Sequence, residues 1–282
     1  MVWLNGKMLA EEDARISVFD RGFTVGDGIF ETVNVKSGVP FALTRHLARL
    51  RLSAIGLGLP EPDVAAIRAG ASAVLEAAGQ PIRGLLRISV SAGAGPMASG
   101  RNVKTVPTVV VALAPPADPD PAVAVVTVPW LRNQDGGLAG LKTTSYAENV
   151  RALAYARERG GGEAVFANTA GELCEGAGSN IFFVTCGRLL TPRLSGGCLA
   201  GVTRALVLEW FGAVEEDWPM SALADAEEAF LTSTTRDIQP IRSVDGQDLP
   251  SCPGSVTEKV AMVYAAQAVG CHDPCPDQHL EP

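Results

Sequence analysis

Lys142 is the residue of this chain best placed to act as an amine nucleophile. It follows a glycine-rich loop, QDGGLAG at 134–140, and opens the segment LKTTSYAENV at 141–150, which is predicted to turn helical. Thr143, Thr144 and Ser145 are placed to cap that helix start, and Tyr146 stands one turn further on. A lysine at such an edge is a nucleophile if partial burial lowers its pKa, and an ordinary solvated amine otherwise.

Four other stretches carry groups that could work with it. In HLARL at 46–50, Arg49 sits on a predicted helix among apolar residues. It is either a solvated cation or, partly buried, a fork for two oxygens of a phosphate or carboxylate. LAGVTRALV at 199–207 is a glycine-containing loop entering a helix, so the N–H groups of Val202 and Thr203 cap either a plain helix or an anion. LTSTTRDIQP at 231–240 clusters hydroxyls at a strand end, where Ser233 and Thr234 donate to phosphate oxygens or close a turn. GELCEGAGSNIFFV at 171–184 holds Glu175 between a strand and a glycine turn. That carboxylate is a solvated loop group or, inside a pocket, a partner for a protonated ring nitrogen. An amine, phosphate donors and a carboxylate together match what pyridoxal phosphate requires. SAGAGPMASG at 91–100 lacks the order and the lysine of a nucleotide-binding P-loop.

Composition narrows the rest. The 282 residues are 47% hydrophobic and 19% charged, enough for a substantial core in one large or two modest domains. A net charge of −8 argues against general nucleic-acid binding, which needs a basic face. No apolar run is long enough to span a bilayer, and the first fifteen residues lack the pattern of a signal peptide. Histidine occurs at 46, 272 and 279, two of them in the terminal tail, so neither a histidine triad nor a multi-histidine metal site is expected. The six cysteines have no CxxC pair, and Cys271, His272 and Cys275 fall short of a four-ligand zinc site. A cytoplasmic protein with free thiols and no metal is expected.

The elements that must position these groups alternate irregularly. VWLNGKML reads as a hairpin turning at Asn5-Gly6. IFETVNV is a strand after the break at Gly26-Asp27-Gly28, and a helix follows with Leu43, Leu47 and Leu50 on one face and Thr44 as N-cap. A second helix spans roughly 62–79, with strands at about 83–91 and 106–113 around a flexible loop at 92–102. The proline-rich PPADPDP breaks the chain. The boundaries read as 1–114 for an N-terminal α+β domain, 115–122 for a linker, 123–270 for a C-terminal domain containing Lys142, and 271–282 for a tail. In the second half a buried strand, a helix through ALAYARER, strands EAVFANT, ELCEG and NIFFVTCGRLLTP, a helix at GVTRALVLEWFG, a strand and hairpin, and a helix near 255–269 follow in turn. Hairpins and helices without regular βαβ alternation make the fold α+β with two domains.

Six motifs in this order (DRGFTVGDGIFET, HLARL, LKTTSYAEN, GELCEGAGSNIFFV, LAGVTRALV and LTSTTRDIQP) resemble the class IV, or fold type IV, pyridoxal-phosphate enzymes over about residues 1–268. That family comprises branched-chain aminotransferases, D-amino-acid aminotransferases and 4-amino-4-deoxychorismate lyases. The resemblance implies that Lys142 holds the cofactor and moves a proton at the substrate α-carbon. It implies Glu175 at the pyridine nitrogen, Leu199 against the ring, and Arg49, Val202, Thr203, Ser233 and Thr234 around the phosphate, with Ser179 and Asn180 nearby. Phe30, Thr32, Arg87, Arg101, Tyr146 and Thr235 fall at substrate-binding positions. The family also implies a homodimer.

Within the family the loop after strand 83–91 departs from the D-amino-acid enzymes. Met97 and Ser99 stand where an Arg-x-His pair is common, and Arg101 is the substitute at hand. Thr32 replaces the glycine of branched-chain enzymes, and with Arg87 it leans toward the lyase or an atypical aminotransferase. The expectation is transfer of an amino group between a D-amino acid or related amine and a 2-oxo acid. Aminodeoxychorismate lyase and branched-chain aminotransferase are the alternatives.

Overall fold

The computed structural model describes residues 1–101 and 106–275. His279, most of the expected tail and the last residue of the 92–102 loop lie outside the described residues. The chain divides into two units: residues 1–117, 141–146 and 271 onward form the first, and 118–140 with 147–270 the second.

The first unit begins with strands β1 (Val2–Leu4) and β2 (Lys7–Leu9) and a one-turn helix α1 (Arg21–Val25). Strands β3 (Gly28–Lys36) and β4 (Val39–Pro40), helices α2 (Leu43–Leu57) and α3 (Val64–Ala77), and strands β5 (Arg83–Ser91) and β6 (Thr108–Ala114) follow. The sheet order is β2-β1-β6-β5-β3-β4, antiparallel throughout. The first hairpin turns at Asn5 and Gly6, whose φ values of 49° and 86° suit a tight turn matched to strand twist. On β3 the period of two buries Ile29, Val33 and Val35 against Leu43, Leu47 and Leu50 of α2 and Ile67 and Val74 of α3. Glu31 shares that parity and is fully buried.

Helix α2 does not start as expected. Its N-cap is Ala42, left-handed at φ 55°, with no side-chain cap. Thr44 lies inside the helix instead, and both its N–H and its hydroxyl donate to the Asp273 carboxylate, at 2.8 and 2.6 Å. Ala42 N–H donates to His272 O at 2.7 Å. Arg45 donates to the carbonyls of Pro274 and Cys275 at 2.9 and 2.8 Å. Residues 272–275 thus close the helix start, supplying acceptors for N–H groups that have no partner within the helix.

The second unit contains β7 (Val123–Arg132), α4 (Ala147–Arg157), β8 (Glu163–Asn168), β9 (Leu173–Gly176), β10 (Asn180–Thr185), β11 (Arg188–Thr191) and α5 (Val202–Trp210). After these come β12 (Val214–Glu215), β13 (Glu228–Ser233), β14 (Asp237–Val244), β15 (Gln247–Asp248) and α6 (Ser255–Gly270). The sheet runs β12-β11-β10-β13-β14-β7-β8-β9, with β15 paired to β14. Pairs β7–β8, β7–β14 and β11–β12 are parallel and the others antiparallel. NIFFVTCGRLLTP is a hairpin rather than one strand, because Cys186 and Gly187 turn the chain at φ 50° and 69°. The sheet centre is aromatic: Phe182 and Phe230, register partners on β10 and β13, stack at 5.0 Å. One antiparallel and one mixed sheet, each with helices, make the fold α+β in two units, the class expected from sequence.

From sequence, Lys142 is expected in the C-terminal domain; it groups with the first unit. The cause is backbone pairing. Thr143 bridges Ile29 of β3. Phe30 N–H donates to Lys142 O at 3.0 Å, and Thr144 N–H donates to Gly28 O at 2.8 Å.

Candidate active site

Lys142 lies on an extended segment, not at a helix start. Helix α4 begins only at Ala147. The expected caps serve another purpose: Thr144 and Ser145 donate their hydroxyls to Gly26 O at 2.9 and 3.0 Å. Lys142 N–H donates to Ser53 Oγ of α2 at 3.1 Å. So held, the side chain carries Nζ to 3.3 Å from the Tyr146 hydroxyl and 4.4 Å from the Phe30 ring centre. Phe30 and Tyr146 meet edge to face at 5.0 Å, an arrangement their ring quadrupoles favour. An ammonium over a ring face is stabilised by the same quadrupole.

Of the two settings read in the sequence, Arg49 takes the second, a largely buried fork for two oxygens, and here the oxygens are those of the Glu31 carboxylate. Its Nε and Nη2 donate to the two oxygens of Glu31 at 2.8 and 2.7 Å, a bidentate pair. His46, one turn back on α2, places Nδ1 2.7 Å from Glu31 Oε2. Burial alone would raise the Glu31 carboxyl. The charge and hydrogen bonds of Arg49, with the His46 bond, outweigh it and hold the group down at about 2. Burial also lowers His46, and the pull of Glu31 only partly offsets it, so His46 is a neutral N–H donor here. For Arg49 the carboxylate outweighs burial and raises the guanidinium further. Neither Glu31 nor His46 stands out in the local sequence. The available signal is the parity of β3 together with the three-residue spacing of His46 and Arg49.

The opposite face of β3 carries Phe30 and Thr32, and its register brings Thr32 against Arg87 of β5. The Arg87 guanidinium stacks 3.4 Å from the Phe30 ring centre, with Nη1 3.4 Å from the Thr32 hydroxyl. One ring therefore holds the Lys142 amine and the Arg87 guanidinium. Arg101 stands elsewhere. Its Nε donates to Asp27 Oδ2 at 2.8 Å, while Nη1 and Nη2 donate to the carbonyls of Gly58 and Leu57 at 2.7 and 2.9 Å.

In the second unit, Glu175 on β9 accepts from Leu199 N–H at 2.8 Å, and its other oxygen lies 3.3 Å from Arg132 Nε. Arg132, unmarked in the sequence reading, also stacks on Phe166 at 4.1 Å. Asn180 donates from Nδ2 to Leu199 O at 2.8 Å, and its strand partner is Thr232, so Glu175, Leu199 and the end of β13 come together. Helix α5 starts behind Gly201, whose missing side chain leaves the first turn without a side-chain cap. A Cβ at Gly201 would collide with Asn180 Oδ1. Val202 and Thr203 are buried at that start. The Tyr264 hydroxyl interacts with Thr203 and Asp237, and burial pushes its pKa well above the usual value. Ser233 ends β13 with its hydroxyl 3.3 Å from that of Thr235, and Thr234 lies in the turn between them. Ser179 is committed structurally, donating to the buried Glu163 at 3.1 Å.

The donor set suits pyridoxal phosphate. The first unit supplies an amine flanked by a phenol; the second, taken by itself, supplies a nine-residue helix whose start has no side-chain cap, hydroxyls, and a carboxylate held beside an arginine. A fold of this class with such a lysine defines a pyridoxal-phosphate enzyme of the fold type IV kind.

The family model described as amino-transferase class IV matches residues 28–244, and the chain belongs to that family, whose members depend on pyridoxal phosphate. It is 30% identical to a bifunctional aminodeoxychorismate lyase / D-amino acid transaminase of Mycobacterium tuberculosis, over 90% of this chain and 94% of that protein. It superimposes on the 4-amino-4-deoxychorismate lyase of Pseudomonas aeruginosa with a TM-score of 0.81, at 31% identity, covering 97% of this chain and 100% of the other. The branched-chain aminotransferase of Thermoproteus uzoniensis, solved with norvaline, gives 0.85 at 29% identity over 95% and 94% of the two chains.

Proposed function

We propose that this enzyme transfers an amino group between a D-amino acid or related amine and a 2-oxo acid. Pyridoxal phosphate, when bound, supplies an aldehyde and an electron-accepting ring. In this reading Lys142 holds the cofactor through Nζ and moves the proton at the substrate α-carbon. Tyr146 orients that amine, Glu175 keeps a proton on the ring nitrogen, and the N–H groups of Val202 and Thr203, with Ser233, Thr234 and Arg49, bind phosphate. Thr235 adds a hydroxyl toward substrate. A homodimer, taken from the family resemblance, and a cytoplasmic location, taken from the unpaired cysteines, are part of the same reading. Among the described residues, no helix is long and apolar enough to cross a membrane.

The observation that carries the proposal is the shared Phe30 ring, with the Lys142 amine at 4.4 Å and the Arg87 guanidinium at 3.4 Å. It sets a carboxylate-binding cation beside the reactive amine, as an acid substrate requires. The lyase reading is favoured by the contact of Thr32 with Arg87 and by the engagement of Arg101 with Asp27, which takes up the one arginine at hand to substitute for the Arg-x-His pair that Met97 and Ser99 replace.

The test is to load purified protein with pyridoxal phosphate and add D-alanine, D-glutamate, L-leucine and aminodeoxychorismate separately. Loss of the visible band with the D-amino acids, restored by a 2-oxo acid, supports the transfer. Release of 4-aminobenzoate and pyruvate from aminodeoxychorismate as the dominant reaction replaces it with the lyase. Protein that takes up no cofactor sinks both.

A further inference from the structure

The Gly26-Asp27-Gly28 junction has two working sides. On one, its backbone carries the Lys142 segment: Gly26 O accepts from Thr144 and Ser145, and Gly28 O accepts from Thr144 N–H. Both glycines are required by this closeness. A Cβ at Gly28 would meet Thr144 Oγ1 at 3.0 Å and Val90 O at 2.9 Å. Gly26 is left-handed at φ 66°, and a Cβ there would meet Ser145 Oγ at 2.8 Å. On the other side the Asp27 carboxylate, buried, is gripped by two arginines. Arg21 donates Nε to Oδ2 at 2.8 Å, and Arg101 binds both oxygens.

Arg21 does more than pair with Asp27. It is 3% exposed. Its Nη1 donates to the carbonyls of Pro96, Ala98 and Gly100 at 2.9, 2.8 and 3.1 Å, and its Nη2 to Ser99 O at 2.9 Å. One guanidinium thus gathers four carbonyls of the 95–101 loop. Arg101, at the end of that loop, ties it to the C-terminal carbonyls of α2. The hydrogen bond from Arg101, followed by that from Arg21, holds the Asp27 carboxyl below its usual range against burial.

We propose that Asp27 is a positioning residue that couples the 95–101 loop to the segment presenting Lys142, with Arg21 and Arg101 as its two arms. The inference rests on Lys142 being the reactive amine, as proposed above. Arg101 in this arrangement is a latch for the loop rather than a ligand for a substrate carboxylate. Removing the charge of Asp27 leaves two arginines without their anion and loosens both segments together. Arg101→Gln frees one arm while leaving Arg21 on Asp27.

The test compares wild type, Asp27→Asn, Asp27→Glu and Arg101→Gln by amide hydrogen exchange and by kinetics of the cofactor-loaded enzymes. In Asp27→Asn, exchange in peptides covering 28–31 and 142–146, as well as 95–101, is expected to speed up by about 10-fold or more. In the same variant kcat falls with Lys142 misplaced, and Asp27→Glu restores part of both. In Arg101→Gln the faster exchange is confined to 95–101. Fast exchange in Asp27→Asn that spares 142–146, or an Arg101→Gln protein whose 95–101 loop exchanges as in wild type, overturns the coupling. Uniformly faster exchange across the whole chain also overturns it, because a general loss of stability then explains the effect. The exchange measurement needs no turnover. A wild type that neither binds pyridoxal phosphate nor turns over therefore defeats the functional reading and leaves the coupling to be judged by exchange alone.

Discussion

The Arg49 guanidinium straddles the Glu31 carboxylate, Nε to Oε1 at 2.8 Å and Nη2 to Oε2 at 2.7 Å, beneath the strand whose other face holds Phe30. Glu31→Gln removes the anion and leaves Arg49 buried without it. We expect a loss of about 3 kcal/mol or more in unfolding free energy and weaker cofactor retention, read by urea denaturation and by cofactor release on dialysis. Unchanged stability would reduce the pair to a surface-like contact.

The same cluster makes stability depend on pH. Glu31 titrates near 2 in the folded chain against an ordinary 4.5, so its stabilisation is complete above 4.5 and is lost as pH falls toward 2. His46 is also depressed, from 6.5, so the unfolded chain takes up a proton first, and stability begins to decline as pH falls through 6.5. His46→Gln should remove the decline near 6.5 and keep the one below 4.5. Unfolding free energies between pH 8 and 3 measure both; identical curves for wild type and variant refute the assignment of the upper step.

Lys142→Ala should lower turnover by about a thousandfold while the far-ultraviolet spectrum stays unchanged, because the strand pairing of 142–144 uses backbone groups. The visible band that borohydride bleaches in wild type should be absent. A variant that keeps the band places the reactive amine elsewhere.

Arg87→Met keeps much of the stacking volume on Phe30 and removes the cation. KM for the acid substrate should rise about 10-fold or more, with kcat changed far less. A fall in kcat alone would show that the guanidinium acts on the chemistry rather than on docking.

Glu175→Gln preserves an acceptor for Leu199 N–H but removes the charge that faces Arg132. Turnover should drop by about 100-fold, with the visible band shifted and the melting temperature nearly constant. Full activity would dissociate Glu175 from the ring nitrogen.

What could be read in advance follows physical lines. RGLLRISVS alternates with period two, and β5 spans Arg83–Ser91 as expected. Asn5-Gly6 carries its turn type in its own residues. The Lys142 segment misleads because a run of hydroxyl residues suits a helix cap equally well, and what decides is the distant partners Gly28 and Phe30. Thr44 misleads for the same reason, its partner being Asp273. Glu31 looks like the polar side of an alternating strand until parity with Ile29 and Val33 puts it inside. Arg21 leaves no local trace at all, since four of its bonds go to carbonyls, which every residue has.

The first unit is discontinuous along the chain, drawing on residues 1–117, 141–146 and 271 onward. During synthesis, β3 therefore leaves the ribosome well before the Lys142 strand that pairs with it, and α2 emerges before the aspartate that closes its first turn. The nascent N-terminal part must wait with that stretch of β3 unpaired until about half of the chain has been made, and with the start of α2 unclosed until nearly all of it has. Fragments cut at the proline-rich junction would be kept in that incomplete condition permanently.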